Sequence, residues 1–388
     1  MRQQTLGNIH IGLREHSPLN PRYLTNFATR RLRQTFNLDA LWTNGWSPPP
    51  DMVCAFPTYR CNLHCDFCFQ RDETGRLRVD MRHEEMTPEQ WEDVIDRVAH
   101  FSPTMFWMGG EMMIYPRIMD LLARCKQRGL KVVMVTNGYR LAERAAALVA
   151  MGVDAVTVSL DGFKDVHNKI RHSPRAFDQV VAGIQAIVSA RGEAALPIIT
   201  INHALNKDNY RDISQFFEFA RDLKADMLQF LGLMYISPET AHRHQEVMHN
   251  EFGLDTVHIN VMENGREAQD MDVIWLQQEM DTLRQTAPAS PTLRFCSLGL
   301  EDNLVAHYSS DDHLPLPEQR CTALWRRMVI QPNGDVTMCY NQPEVVVGNV
   351  LVDELEEIWN GDKFRQVRQR IKRELLPGYT RCGWLDYK

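Results

Sequence analysis

The sequence predicts an α/β fold, a parallel sheet of repeated βα units followed by a small C-terminal α+β module, and three observations predict it. Short β-rich runs at residues 53–56, 104–108, 131–135, 154–159, 197–202 and 226–231 alternate with longer amphipathic stretches of helical period. Units of this size imply parallel strands joined by right-handed crossovers. Farther on, Pro332-Asn333-Gly334-Asp335 separates two apolar runs and reads as a hairpin turn. The chain has 388 residues, 44% of them hydrophobic, enough to bury a core in two or three domains or one large barrel. Periodicity allows the sheet to be either open and doubly wound or curled into a barrel.

Taken in order, residues 1–50 form an N-terminal extension with a cationic cluster, Arg30, Arg31 and Arg33, that reads as a solvated helical face. Ser47-Pro48-Pro49-Pro50 marks a boundary, and the core runs from 51 to 231. Within it Thr87-Pro88-Glu89-Gln90 is a capping box with proline in the first turn, and residues 116–128 are helical up to a stop at Gly129. Further helices are expected at 141–151, 176–190 and 209–223. The alternation fades over 232–319, which carries a helix at 274–285 and a linker from Ala287 to Pro291. The last module covers 320–388, with a helix over 353–375 interrupted near Asn360-Gly361. No repeats or low-complexity tracts stand out.

A formal charge of −7 and a pI near 6.1 leave no basic footprint for a nucleic-acid backbone. No apolar stretch approaches the roughly 20 residues that span a bilayer. The first residues, Met1-Arg2-Gln3-Gln4-Thr5, lack the apolar segment and cleavage site of a secretory signal, so a cytoplasmic location is expected. In a reducing compartment nine cysteines are metal ligands, catalytic thiols or buried small hydrophobes rather than a disulfide framework.

Three of them, Cys61, Cys65 and Cys68, follow the first strand, in the loop where such folds place their chemistry. A 4Fe-4S cube has four corners, so three thiolates on one loop leave an iron open to an exchangeable ligand. Zinc is the alternative, although zinc sites favour paired C-x2-C ligands and only Cys65 and Cys68 match that spacing. Unligated thiols are a third reading.

With Phe67 in place, C-x3-C-x-aromatic-C after a first strand resembles the signature of the radical S-adenosylmethionine (radical SAM) superfamily. The resemblance implies that Cys61, Cys65 and Cys68 ligate a 4Fe-4S cluster, that S-adenosylmethionine chelates the open iron, and that Phe67 lies against its adenine. Gly109-Gly110-Glu111 after the second strand is similar to the family's G-G-E motif, which contacts the ammonium group; Met112 stands where the family often has proline. Thr136-Asn137-Gly138 and Ser159-Leu160-Asp161-Gly162 end the next two strands, with His167 and Arg171 beyond. By the same resemblance Ser159 and Arg171 bind the carboxylate or ribose of S-adenosylmethionine, with Asn137 and Asp161 nearby. Read for themselves, Asn-Gly and Asp-Gly are also common turn pairs.

Cys321-x17-Cys339 with Gly334 between them, Gly348-Asn349, Glu357-Ile358-Trp359-Asn360 and Cys382 resemble the SPASM, or twitch, module of this superfamily, which binds an auxiliary 4Fe-4S cluster. The usual ending is C-x2-C, and Tyr379 occupies the place of its first cysteine. Three readings stay open: a fourth ligand from elsewhere, with Cys296 the nearest spare thiol, an open iron, or a degenerate module whose cysteines pack in a core. Cys54 and Cys125 are expected in the core, and His242, His244 and His249 on a solvated surface.

The resemblance implies a partial (β/α)6 TIM-like barrel carrying a small cluster-binding module. It further implies an enzyme that cleaves S-adenosylmethionine reductively to a 5′-deoxyadenosyl radical and abstracts hydrogen from a peptide or small metabolite. Its partners would be that substrate and an electron donor such as flavodoxin or ferredoxin. The alternatives are the same chemistry on a tRNA, nucleotide or cofactor precursor, and a non-catalytic iron-sulfur or zinc sensor.

Overall fold

The computed structural model describes residues 44–68, 70, 84–255, 270–296, 304–309, 319–383 and 385–387. The cluster Arg30, Arg31 and Arg33 lies outside the described residues, with most of the N-terminal extension.

Seven strands, β1 (Met52–Ala55), β2 (Thr104–Trp107), β3 (Lys131–Thr136), β4 (Ala155–Ser159), β5 (Ile198–Leu205), β6 (Met227–Gly232) and β7 (Thr292–Cys296), lie side by side in chain order and all parallel. A doubly wound sheet reverses its strand order at a switch point. This one never does, which is the order of a curled, TIM-like sheet. Strand β7 is not announced by the sequence, because its five residues include the charged Arg294 and follow the proline-flanked stretch that reads as a linker. It adds a seventh strand to the six expected.

The connecting helices include α1 (Pro88–Val98), α2 (Ile118–Gln127), α3 (Leu141–Met151), α4 (Lys164–Ile170), α5 (Ala176–Arg191), α6 (Ile213–Asp222) and α7 (Pro238–Phe252). Helix α1 begins as expected: Thr87 Oγ1 accepts from Gln90 N–H, Gln90 Oε1 accepts from Thr87 N–H, and Pro88 fills the first turn, where no N–H is needed. Alternate strand residues, among them Val53, Ala55, Met105, Trp107, Val156, Val158, Ile199 and Ile201, pack with Trp91, Leu121, Leu148 and Val180 in one apolar core. The residues between them point to the other face of the sheet.

Strand β8 (Gln319–Cys321) pairs with β12 (Leu385–Tyr387) in a separate two-stranded sheet. Strands β9 (Arg327–Ile330) and β10 (Asp335–Cys339) form the expected hairpin, and β11 (Gln342–Asn349) follows. The hairpin joins the barrel sheet directly, since β9 pairs in parallel with β1, giving ten strands in the order β11-β10-β9-β1-β2-β3-β4-β5-β6-β7. The interrupted helix near the C-terminus is two helices broken at Gly361, α8 (Leu355–Asn360) and α9 (Asp362–Arg373).

The Ser47-Pro48 stretch is tied to these helices. Trp359 Nε1–H donates to Pro48 O at 2.7 Å, and Asn360 Oδ1 accepts from Ser47 N–H at 2.9 Å. The buried Arg368 guanidinium, 4.2 Å from the Trp359 and Phe364 ring centres, donates to Gly45 O and Leu324 O. Carbonyls and ring faces surround its charge.

His203, on β5, is buried with its ring centre 4.3 Å from that of Phe216 and 5.2 Å from that of Phe230. Burial in this setting lowers its imidazole pKa to about 4, so the fold holds it neutral. The unfolded chain takes up this proton near pH 6.5 and the folded chain only near 4, so the stabilisation is complete above 6.5 and lost as pH falls towards 4. Unfolding midpoints in urea are expected to drop across that window. In His203→Phe the drop becomes shallower by at most the equivalent of one proton, or about 3 kcal/mol; an unchanged slope would show that His203 does not contribute.

Candidate functional site

The chain leaves β1 and runs past Thr58, Tyr59 and Arg60 into Cys61, Cys65 and Cys68. The loop after β2 lies against it: Gly110 N–H donates to Thr58 O and Glu111 N–H to Arg60 O, both at 2.9 Å. A Cβ on Gly110 would sit 2.2 Å from Arg60 O and 2.5 Å from Tyr59 O, closer than atoms can pack. Gly109 has φ +132°, and a Cβ there would lie 2.4 Å from Thr58 O. The two glycines therefore shape the base of the cysteine loop.

Glu111 is tied into the neighbouring turn. Its carboxylate is only 1% exposed and accepts from Thr136 Oγ1–H (2.8 Å), Asn137 N–H (2.7 Å) and Met113 N–H (3.0 Å). Burial pushes its pKa up, and these donors pull it part of the way back. These bonds hold the turn after β3.

That turn aims Asn137 at the loop, its Nδ2–H donating to Asn62 Oδ1 at 2.9 Å and to Cys61 Sγ at 3.7 Å. From the other side Arg171, at the end of α4, donates through Nη1–H to Cys65 Sγ at 3.3 Å, with its guanidinium 5.8 Å from the Phe67 ring centre. Asp161 anchors Arg171 through Nε at 2.7 Å and through Nη2, and its other oxygen accepts from Ala204 N–H at 2.9 Å. Burial works against the Asp161 charge, but Arg171 and these bonds prevail and hold its pKa below the ordinary carboxylate value. His167 Nδ1 accepts from Asp161 N–H, and burial and Arg171 lower its pKa to about 3, so it is the neutral acceptor this bond requires. Phe67, Asn137, Asp161 and Arg171 thus come together around the cysteine loop, with Asn137 and Arg171 aimed at sulfur.

Ser159 belongs to a second feature. Ladder pairing sets Ser159 beside Asn202, Asn202 beside Gln229, and Gln229 beside Arg294, one row across β4 to β7 on the face away from the helices. Asn202 Oδ1 is buried in it without a hydrogen-bond partner. Asn202, Gln229 and Arg294 are not singled out by any motif; each is a polar residue on the inner face of its strand, and only the register of β4 to β7 lines them up.

The C-terminal cysteines gather in a cavity lined by Cys321, Cys339, Cys382, Tyr379, Asn341 and, unexpectedly, Cys54. Cys54 was expected to fill core, and it is buried, but the pleat of β1 turns it to the Val329 face, which this cavity borders. Cys125 is core. Burial, then the nearby Cys382 and Cys321, raise the Cys339 thiol well above its ordinary pKa. Asn341 Nδ2–H donates to Cys382 Sγ at 3.6 Å. Cys296 does not join them: it ends β7 at the opposite edge of the sheet, where its thiol bonds Gln229 Oε1 at 3.5 Å. His242 and His249 are exposed as expected, whereas His244 is buried because α7 packs on the 377–379 turn, and its Nδ1 accepts from Gly378 N–H at 3.1 Å. Among the described residues no three His, Cys, Asp or Glu side chains converge on a single-ion position.

Residues 56–220 match the model of the radical SAM superfamily. The chain belongs to that superfamily. Residues 321–383 of this radical SAM chain match SPASM, an iron-sulfur cluster-binding domain, and the two matches together take in more than half of the sequence. Its cofactors are accordingly 4Fe-4S and S-adenosylmethionine. The chain is 30% identical to the Fe-coproporphyrin III synthase of Methanosarcina barkeri over 46% of its own length and 43% of that protein's, so it spans less than half of this relative. It is 26% identical to the PqqA peptide cyclase of Streptomyces rochei over 78% of its length and 73% of that protein's. Streptococcus suis SuiB bound to S-adenosylmethionine shares the fold with a TM-score of 0.57 at 17% identity, covering 95% of this chain and 78% of SuiB. Among the described residues no helix is long and apolar enough to cross a membrane.

Gly110→Ala is expected to reduce cluster iron several-fold while far-UV circular dichroism stays unchanged. Gly152→Ala, at a helix end where a Cβ meets nothing within 4 Å but φ is +73°, loses about 1 kcal/mol of stability and keeps its iron. Equal iron in both proteins would refute this role for Gly110.

Proposed function

We propose that the chain is an enzyme in which Cys61, Cys65 and Cys68 hold the radical SAM cluster and Cys321, Cys339 and Cys382 an auxiliary one, and that it modifies a peptide oxidatively at a carbon. The observation that carries this reading is the pair of donors, Asn137 after β3 and Arg171 at the end of α4, that reach Cys61 and Cys65 from two sides. The donor set fits the group, because three cysteines on one loop leave a cluster iron open, and N–H donors at ligand sulfurs are how proteins tune such clusters. When bound, the reduced cluster supplies the electron that splits S-adenosylmethionine into methionine and a 5′-deoxyadenosyl radical, which removes a substrate hydrogen.

The chain's own contribution is placement. Gly109 and Gly110 fix the loop, Glu111 fixes the turn bearing Asn137, and Asp161 fixes Arg171, so the groups facing the cofactor are held before it arrives. Phe67 offers an aromatic face for adenine. The row Ser159, Asn202, Gln229 and Arg294 supplies hydrogen-bonding groups and a cation on the inner face, suited to gripping amide and carboxylate groups beside the cofactor. In this reading residues 51–231 are the core, 232–319 complete its substrate side, and 320–388 form the cluster module.

A peptide substrate is supported by the likeness to the PqqA peptide cyclase, which the chain spans for most of its length. A one-electron donor such as flavodoxin or ferredoxin completes the chemistry. A reducing, cytoplasmic setting suits nine cysteines of which no two form a disulfide.

Anaerobic reconstitution is expected to give about eight irons per chain, two 4Fe-4S clusters. Dithionite and S-adenosylmethionine then yield 5′-deoxyadenosine, and Cys65→Ala yields none. A cluster-loaded wild type that makes no 5′-deoxyadenosine, or a Cys65→Ala that makes as much, overturns the proposal.

A further inference from the structure

Resting on the reading that Cys321, Cys339 and Cys382 hold a cluster, the C-terminal site poses a question of valence, because three cysteines serve three corners of a four-cornered cube. The fourth group is already in place. Tyr379 lines the same cavity as the three thiols, its side chain is buried, and its hydroxyl lies against the Cys339 thiol without a hydrogen bond of good geometry. A hydroxyl buried with so weak a partner keeps much of its desolvation penalty unless something absent from the bare protein satisfies it.

The backbone explains why it points there. Tyr379 N–H donates to Leu376 O at 2.9 Å and Cys382 N–H to Tyr379 O at 3.0 Å, so residues 379 and 382 belong to one tight turn and face one volume, as the two thiols of a C-x2-C pair do. His244, buried in α7, pins the turn by accepting Gly378 N–H. Cys54 also borders the cavity, but it sits within the β1 ladder and packs in an apolar cluster with Phe56, Tyr59 and Val329.

We propose that the Tyr379 oxygen is the fourth protein ligand of the auxiliary cluster, bound to the iron that Cys321, Cys339 and Cys382 leave open. On assembly one Fe–O bond forms and the phenol O–H bond breaks, its proton passing to water together with those of the thiols; no electron changes hands. Oxygen is a harder donor than sulfur, so this corner differs chemically from the other three. The site is closed by the protein, and the substrate does not reach that iron.

The test uses the full chain with Cys61, Cys65 and Cys68 changed to alanine, so that only the auxiliary cluster remains after anaerobic reconstitution. About four irons are expected, with phenolate ring modes enhanced in the resonance Raman spectrum through an Fe–O charge-transfer band, and an electron paramagnetic resonance signal of the reduced cluster that added cyanide leaves unchanged. Tyr379→Phe loses the phenolate modes and gains a cyanide response. Tyr379→Cys, which restores the pair of thiols, keeps about four irons and shows neither, and it serves should the phenylalanine variant fail to fold. Absence of phenolate modes in the parent, or a cyanide response already present there, overturns the assignment. A cyanide response created by Cys54→Ala instead overturns it in favour of Cys54. If Cys321→Ala leaves the iron count unchanged, the failure lies with the auxiliary cluster itself and not with Tyr379.

Discussion

Strand β1 is hydrogen-bonded in parallel on both sides, to β2 and to β9, and the rest of the structure depends on that double pairing. Four residues long, it would be a poor edge strand. Between two neighbours every backbone group finds a partner, and its ends become fixed points. The cysteine loop leaves one of those points, and Cys54 on its inner face borders the second thiol site. The barrel and strands β9 to β11 of the C-terminal module are therefore one sheet, and distortion at either reaches β1.

The loop beyond β1 is held chiefly by backbone, with side chains used where charge must be controlled. Gly109 and Gly110 allow main-chain bonds that no other residue would permit at these distances. The buried Asp161–Arg171 pair carries the opposite risk: an ion pair out of water is costly unless its remaining valences are met. Here the carboxylate also receives Ala204 N–H, and the guanidinium also donates to Cys65. The pair is completed by the sulfur it positions against, so its geometry and the loop's are coupled.

Much of this was legible in the sequence. Six strands, the Thr87 capping box and the 332–335 hairpin follow from period and turn chemistry acting within a few residues. The parallel β9 to β1 pairing and strand β7 do not, because they join segments far apart and no local pattern records which strand will lie beside which. Asn137, Asp161 and Arg171 were found through motifs at strand ends. Asn202, Gln229 and Arg294 were not, since one polar residue in an apolar strand has no signature until register aligns it with its neighbours. Glu111 was found by its motif, but its bonds to Thr136 and Asn137 were not, since they join two different strand ends. Cys54 and His244 passed for core and surface because only tertiary packing decides which volume a side chain enters.

Met52 on β1 pairs with Arg327, so the strand that launches the first cysteine loop finds one of its two neighbours only near the end of the chain. During synthesis β1 waits with one edge bare while almost the whole barrel is made, and closing so long a loop is a late, slow step. Pro48 and Ser47, bonded to Trp359 and Asn360, wait with it. Cluster delivery to a loop set on a completed sheet then follows the making of β9, and the order of assembly, polypeptide first and iron afterwards, is written into the strand order of the sheet.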